Sequence, residues 1–162
     1  MKISYLVNTS DDLKVISRWY FDEWGHLNPS NTEEKIYERL SSKFDKEDEF
    51  LCFVVIHEKE LLVAVADLKY REHKDYPEYE HWIGGVYVKP ECRGKGYASA
   101  LIEKAKEHVF NLSISELVPL RRGRFVEAQV ALEAFADAPV IDLKALRDDL
   151  DLIADPDFLP RG

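Results

Sequence analysis

Residues 82–112, WIGGVYVKPECRGKGYASALIEKAKEHVFNL, combine a short apolar strand, a turn rich in glycine and basic residues, and a helix. The strand is predicted over 82–88, because β-branched and aromatic residues dominate it. Pro90 ends the strand, since proline has no N–H to donate to a neighbour. The helix is predicted to begin near Ala98. Its apolar face recurs at helical spacing and consists of Ala100, Leu101, Ala105 and Val109.

The turn between strand and helix alternates basic residues with glycines. Gly94 and Gly96 allow a tight backbone whose successive N–H groups point one way. Such a nest at a helix N-terminus, beside Arg93 and Lys95, predicts a site for a phosphorylated ligand. A surface turn with two solvated cations is the alternative. The turn is neither a Walker loop nor a dinucleotide fingerprint, because Gly-Lys-Ser/Thr and Gly-x-Gly-x-x-Gly are both absent.

Residues 86–98, VYVKPECRGKGYA, resemble the acetyl-CoA signature of the GNAT superfamily of N-acetyltransferases. Its core pattern, Arg/Gln-x-x-Gly-x-Gly/Ala, is met by Arg93, Gly96 and Ala98, whereas Cys92 stands where an aromatic residue or His is more usual. The resemblance implies that the N–H groups of 94–99 hold the pyrophosphate and that the backbone of 86–88 pairs with the pantetheine arm. The implied cofactor-binding residues are Val86, Tyr87, Val88, Arg93, Gly94, Lys95, Gly96, Tyr97, Ala98 and Ser99.

The composition indicates one acidic domain without a membrane or nucleic-acid partner. The 162 residues suffice for one domain with a core, and the net charge of −9 disfavours nonspecific binding to anionic surfaces. An acidic surface suits a cationic acceptor such as an amine. Cys52 and Cys92 form neither a metal spacing nor a disulfide framework. Because no signal peptide or membrane-length apolar run occurs, a cytoplasmic location is expected.

Two helices are predicted near the N-terminus from apolar residues at three- and four-residue steps. The first follows Ser10 or Asp11 as a cap and ends at Gly25. Its stripe is Leu13, Ile16, Tyr20 and Trp24. The second follows Asn31 or Thr32 as a cap. Its stripe is Ile36, Leu40 and Phe44.

The end of the first helix carries a second resemblance. The phrase Trp24-Gly25-His26 is similar to one GNAT subgroup, and in GNAT proteins these two helices border the acceptor pocket. The resemblance therefore implies acceptor contacts for Glu23, His26 and Glu33. Solvated helix ends are the alternative for each of these residues.

Three further strands are predicted at 2–7, 50–57 and 61–70. The last two are β-branched or apolar and flank the polar turn 58–60, so they form an antiparallel hairpin. Together with 82–88 they predict an α/β (α+β) fold. Its central sheet is mixed and mostly antiparallel, is flanked by helices, and resembles the GNAT fold.

The GNAT resemblance covers residues 1–117 and then stops. A complete GNAT domain would continue with a fifth strand, a helix and two closing strands. Here only a short fifth strand over 116–120 is expected. All eight Tyr and all three Trp lie before residue 118, and Arg replaces Lys as the commoner cation after it. We infer an incomplete GNAT-like domain over 1–117 and an atypical tail over 118–162. The two pieces are of different origin and were joined by fusion, frameshift or cloning.

The tail is predicted to form short amphipathic helices at 125–136 and 142–153 in place of the C-terminal strands. It weakly resembles the C-terminal part of prevent-host-death type antitoxins, in which such a tail wraps a partner toxin. On that interpretation, the tail is expected to bind a second copy of this chain or another protein. The alternative is that both helices pack back on the truncated domain.

The GNAT resemblance implies acetyl transfer from acetyl-CoA to a primary amine of a small molecule or peptide, without a metal. A base then accepts the ammonium proton. Glu80 and His81, before and at the start of the signature strand, are the candidate bases; a loop carboxylate and a packed imidazole are the alternatives. Counting in steps of two predicts that His81 shares a face with Tyr87. The family often takes its acid from a Tyr in the replaced part, and the tail contains no Tyr.

Two functions of different classes follow. The first is a GNAT N-acetyltransferase whose activity is impaired by its unusual C-terminus. The second is a catalytically inactive GNAT scaffold that binds a protein through its helical tail. Nucleic-acid binding would need a basic stripe, and Arg121, Arg122 and Arg124 are too few among the surrounding acids.

Overall fold

A computed structural model describes residues 1–7, 11–72 and 77–119. Within these ranges one sheet carries helices on both faces. The strands are β1 (Lys2–Tyr5), β2 (Phe53–Glu58), β3 (Leu61–Tyr70), β4 (His81–Val88) and β5 (Val118–Pro119). The helices are α1 (Asp12–Trp24), α2 (Glu33–Ser41) and α3 (Tyr97–Asn111), with 3-10 turns at Gly25–Leu27 and Pro90–Cys92. None of the described helices is both long and apolar enough to span a bilayer.

The sheet has the strand order β1-β2-β3-β4-β5. Its first three pairings are antiparallel and the pairing of β4 with β5 is parallel, so the predicted mixed, mostly antiparallel sheet is confirmed. The predicted fifth strand is also confirmed, as a two-residue strand beside Trp82 and Ile83. The predicted tail helices at 125–136 and 142–153 lie outside the described residues.

Two apolar layers hold the helices on the sheet, because alternate residues of a strand point to opposite faces. One layer joins α3 to even-numbered residues of β2 and β3. It includes Leu101, Ala105, Val109, Val54, Ile56, Ala64, Ala66 and Leu68. The other joins α1 and α2 to odd-numbered residues. It includes Leu13, Ile16, Tyr20, Ile36, Leu40, Phe53, Val55 and Val65.

The ends of α1 and α2 can be compared with the capping and stop residues predicted for them. Thr32 caps α2, its hydroxyl accepting the N–H of Lys35 at 3.2 Å, as predicted. Asp11 precedes α1 without a capping hydrogen bond from its side chain, and Ser10 lies outside the described residues. Gly25 ends α1 as predicted, but in a right-handed conformation with φ of −60°. A Cβ there would lie 2.6 Å from Cδ2 of Phe21, so close packing favours glycine.

Candidate active site

The glycine-rich turn has the backbone that the sequence predicts. Gly94 and Gly96 have φ angles of +74° and +79°, and Gly96 directly precedes α3. No atom lies within 4 Å of a Cβ added at either position, so conformation rather than space favours glycine here. In the described part of the chain, the N–H groups of 94–99 donate to no acceptor. A row of unsatisfied N–H groups at a helix N-terminus is suited to an anion.

The two cations of the turn are held by neighbouring groups. Arg93 donates from Nε to the carbonyl oxygen of Val88 at 3.1 Å, which ties the turn to the end of β4. Nζ of Lys95 lies 3.6 Å from Oε2 of Glu58, while the hydroxyl of Tyr97 donates to Oε1 of Glu58 at 3.0 Å. Tyr97 first, and then Lys95, hold the pKa of the Glu58 carboxyl below its ordinary value. A carboxylate from the β2–β3 hairpin therefore lies beside the turn.

In the part of the chain that the structure describes, one edge of β4 is open where the strand approaches the turn. On its other edge β4 pairs with β3 along most of its length, up to Val88 opposite Ala64. β5 pairs only with Trp82 and Ile83. Within residues 1–7, 11–72 and 77–119, no strand covers the β5-side edge of 86–88. These backbone groups are free to pair with an extended ligand.

A β-bulge interrupts β4 and overturns one prediction. Tyr87 pairs with Val65 and Gly84 with Asp67, so two residues of β4 oppose one of β3. The extra residue reverses the alternation of side chains. His81 consequently lies opposite Tyr70, on the α3 side, whereas Tyr87 packs on the α1 side. The prediction that His81 and Tyr87 share a face is wrong for this reason.

The two candidate bases already have structural contacts. His81 packs edge-on against Phe50, with ring centroids 4.7 Å apart, and against Tyr70 at 5.3 Å. Its Nδ1 is buried and has no hydrogen-bond partner among the described residues. Glu80 accepts from Arg71 at 3.0 Å, and its N–H donates to Glu116 at 3.2 Å. The side chain of Glu80 is 48% exposed, so it remains accessible to solvent.

Beside the open edge, α1 presents aromatic and acidic side chains. The rings of Trp19 and Tyr87 stack with centroids 4.9 Å apart, and Trp24 contacts Tyr87 edge-on at 6.5 Å. Burial, and then the Glu23 carboxylate, raise the pKa of Tyr87. Among the implied acceptor contacts, Glu23 thus lies at this cluster.

The other two implied acceptor contacts have different surroundings. The carboxylate of Glu33 accepts from Arg18 at 2.9 Å and links α1 to α2 on the surface. His26 is exposed in the 3-10 turn after α1.

Sequence reasoning missed two tertiary relationships around the bulge. The hydroxyl of Tyr20 donates to the carbonyl of Gly85, 65 positions away, at 2.5 Å. Asp67, almost fully buried opposite Gly84, forms an ion pair with Lys43 beyond the end of α2. The paired glycines at 84 and 85 were the available signal, since glycine within a strand often marks a bulge.

The described residues thus form an α/β protein: a mixed sheet lies between helical layers, and an uncovered strand edge leads to a turn suited to an anion. The sequence profile described as the acetyltransferase (GNAT) family matches residues 13–122, and the chain belongs to that family. No curated protein matches the chain. The family profile and most of the similar solved structures are of acetyltransferases, and the antitoxin resemblance of the tail has no support among them.

Solved structures of acetyltransferases share the fold at low sequence identity. Aminoglycoside N-acetyltransferase AAC(6')-Iy in complex with CoA aligns with a TM-score of 0.60 at 12% identity, covering 99% of this chain and 90% of its own. A predicted acetyltransferase of Clostridium acetobutylicum with acetyl-CoA gives 0.56 at 15% identity, covering 75% and 81%. A GCN5-related N-acetyltransferase of Ralstonia eutropha gives 0.53 at 18%, covering 74% and 82%.

Proposed function

We propose that this protein transfers the acetyl group of acetyl-CoA to a primary amine of a small molecule or peptide. One observation carries the proposal: among the described residues, the N–H groups of 94–99 have no acceptor, and they follow the uncovered edge of 86–88 along the chain. An extended arm and a diphosphate are consecutive parts of CoA, and the two features occur in the same order along this chain. Two similar structures have CoA or acetyl-CoA bound.

Each predicted cofactor residue has a role in this proposal. The backbone of Val86, Tyr87 and Val88 pairs with the pantetheine arm as an added strand would. The N–H groups of 94–99, which belong to Gly94, Lys95, Gly96, Tyr97, Ala98 and Ser99, hold the diphosphate. Arg93 and Lys95 add positive charge beside it. When bound, acetyl-CoA supplies the reactive thioester, and the protein positions it.

The acceptor is proposed to approach from the α1 side. Trp19, Trp24 and Tyr87 offer aromatic surface and Glu23 offers a carboxylate, which together favour an amine. The last turn of α1 contains no basic residue, so its negative dipole end is not neutralised there. Among the similar structures, those named as aminoglycoside and glucosamine-6-phosphate acetyltransferases indicate acceptors that carry amines.

In the proposed reaction the amine nitrogen attacks the thioester carbonyl, an N–C bond forms and the C–S bond breaks. The ammonium proton passes to a base, and the departing thiolate takes up a proton. Glu80 and His81 remain the proposed bases. We propose Glu80 as the first candidate, because its side chain is accessible to solvent whereas the His81 ring is packed against Phe50 and Tyr70.

A second candidate function is an inactive GNAT scaffold that binds a protein partner. It is favoured by the engagement of both bases, Glu80 with Arg71 and His81 with Phe50 and Tyr70. The partner would be held through the tail, which lies outside the described residues. Such a scaffold would still bind acetyl-CoA at the edge of 86–88 and the turn of 94–99, but it would not catalyse acetyl transfer.

Calorimetric titration with acetyl-CoA, followed by thiol release with a panel of amines, separates these functions. We expect binding and amine-dependent release by the unaltered chain. The double variant Gly94→Ala/Gly96→Ala should bind at least tenfold more weakly, because alanine disfavours positive φ. Asn111→Ala, at the opposite end of α3, is the control. Binding without release would support the scaffold, and absence of binding would refute both.

A further inference from the structure

The bulge in β4 lies beyond the last residue of the strand that pairs with β5. Gly85 and Val86 together oppose Ala66, and Gly85 has a φ of +53°. Upstream of it β5 pairs with Trp82 and Ile83, whereas downstream no strand of the described residues covers the edge. A bulge bends its strand and increases the local twist. The bend therefore occurs between the covered and the open parts of one strand edge.

A side chain from α1 holds this bulge. The hydroxyl of Tyr20 donates to the carbonyl oxygen of Gly85 at 2.5 Å, and the Tyr20 side chain is almost fully buried. Burial, followed by the charge of Asp67, raises the pKa of Tyr20 well above its ordinary value. The phenol therefore keeps its proton and remains a donor throughout the working pH range.

The fit between the two residues is close. A Cβ added at Gly85 would lie 2.4 Å from Oη and 2.9 Å from Cζ of Tyr20, so no side chain fits there. The positive φ independently favours glycine. Without the hydroxyl, the Gly85 carbonyl would lose its partner in a partly buried position, which costs free energy. Tyr20 and Gly85 thus specify one conformation of the bulge together.

We propose that the Tyr20 hydroxyl is a positioning group for the open edge of β4. By holding the Gly85 carbonyl it sets the direction of 86–88, and so aligns the backbone groups that pair with the pantetheine arm. This rests on the proposed function. The anion-binding turn is separate from this contact. Binding of the pantetheine arm therefore depends on Tyr20, whereas binding of the diphosphate does not.

Tyr20 also lies between the proposed acceptor side, at α1, and the proposed cofactor side, at the edge of β4. Its ring contacts Trp24 edge-on with centroids 5.0 Å apart, and Trp24 contacts Tyr87, the residue that follows the bulge. One hydrogen bond and two ring contacts therefore connect α1 to the bulge and to Tyr87.

The test compares CoA with its fragment adenosine 3′-phosphate 5′-diphosphate, which lacks the pantetheine arm. Tyr20→Phe should weaken CoA binding about tenfold and leave the affinity of the fragment unchanged. Tyr37→Phe, the same change at a partly exposed position of α2, should alter neither. Placing 4-aminophenylalanine at position 20 restores an N–H donor and should restore CoA affinity. Equal loss for both ligands, or no loss, would overturn the proposal.

Hydrogen exchange of the ligand-free protein gives a readout that does not depend on activity. Tyr20→Phe should accelerate exchange of the amides of 84–88 and leave those of α3 unchanged. If the unaltered chain binds no CoA, the proposed function fails, and exchange then decides the role of Tyr20. Unchanged exchange over 84–88 would refute it. If the Tyr20→Phe variant fails to fold, two variants with 4-aminophenylalanine or 4-fluorophenylalanine at position 20 replace it. The first has a hydrogen-bond donor at the para position and the second has none, so they make the same comparison.

Discussion

The carboxylate of Glu58 lies 3.6 Å from the ammonium of Lys95, so a hairpin carboxylate neutralises a cation of the anion-binding turn. The Tyr97 hydroxyl fixes the same carboxylate from the first residue of α3. A diphosphate at the turn would meet this negative charge. Glu58 therefore opposes the ligand that the neighbouring N–H groups favour.

Removing that charge should strengthen cofactor binding. We expect Glu58→Gln to lower the dissociation constant of acetyl-CoA by about two- to fivefold at low salt, because an exposed charge has a modest effect that salt screens. Glu60→Gln, an exposed change two residues away, is the control. The measurement is calorimetric titration at two salt concentrations. Weaker binding by Glu58→Gln would show that the carboxylate supports the site instead.

The titration of Glu58 should depend on Tyr97. Because the folded-state pKa is lowered, the carboxylate contributes stability above its unfolded pKa, and this contribution is lost as pH falls through the folded pKa. Tyr97→Phe removes the largest cause, so Glu58 should protonate at higher pH. Carboxyl carbon NMR measures this directly. Glu91, whose pKa is lowered chiefly by Lys89, should titrate as before; an unchanged Glu58 would contradict the assignment.

The β2–β3 turn contains two residues in an unfavourable conformation. Lys59 and Glu60 have φ angles of +50° and +64°, where Asn-Gly is preferred in two-residue hairpins. Lys59→Asn/Glu60→Gly should raise the free energy of unfolding by about 1 kcal/mol, measured by urea denaturation. Lys59→Ala/Glu60→Ala retains the strain and should give no gain. Destabilisation by the Asn-Gly variant would contradict the turn geometry.

Substitutions of Lys43 and of Asp67, which form an ion pair, should have non-additive effects on the free energy of unfolding. Asp67 is 1% exposed, and Nζ of Lys43 also donates to the carbonyl of Leu68 at 2.8 Å. Lys43→Met leaves a buried carboxylate without this partner and should lower the free energy of unfolding by about 3 kcal/mol. Lys43→Met/Asp67→Leu should be closer to the unaltered chain, and the exposed change Lys46→Met is the control. Additive losses would contradict the pairing.

The thiol of Cys52 should be unreactive in the folded protein. Burial raises its pKa to about 12, so its thiolate fraction at pH 8 is about 10⁻⁴ against roughly a quarter for an ordinary thiol. In a Cys92→Ala variant, alkylation by iodoacetamide at pH 8 should be more than 10³-fold slower when folded than in urea. Comparable rates in the two states would show that Cys52 is accessible.

Much of the architecture was predictable because it follows from local signals. Alternation and β-branching located the β2–β3 hairpin, and Thr32 located the start of α2. Gly94 and Gly96 predicted the left-handed turn before α3, since few other residues adopt that backbone. The strand edge beside 86–88 was predicted through resemblance to a family rather than through any local pattern.

The bulge marks where this approach failed. Period-two counting assumes an unbroken strand, and one extra residue at Gly85 moved Tyr87 to the opposite face from His81. The double glycine hinted at an irregularity, but its position depends on β3 and on the hydroxyl of Tyr20. The contacts of Glu80 and His81 likewise come from residues on other strands, so no spacing along β4 could show them.

The chain's own pattern of glycine, proline, charge and β-branching was sufficient to specify the anion-binding turn, the hairpin and the mostly antiparallel sheet, because backbone preferences and apolar periodicity act over a few residues. The direction of the open β4 edge, the face that each of its side chains occupies, and the pairing of Lys43 with Asp67 required the folded molecule. Those features arise where segments distant in sequence compete for the same hydrogen bonds and the same buried space, and no local preference encodes the outcome of that competition.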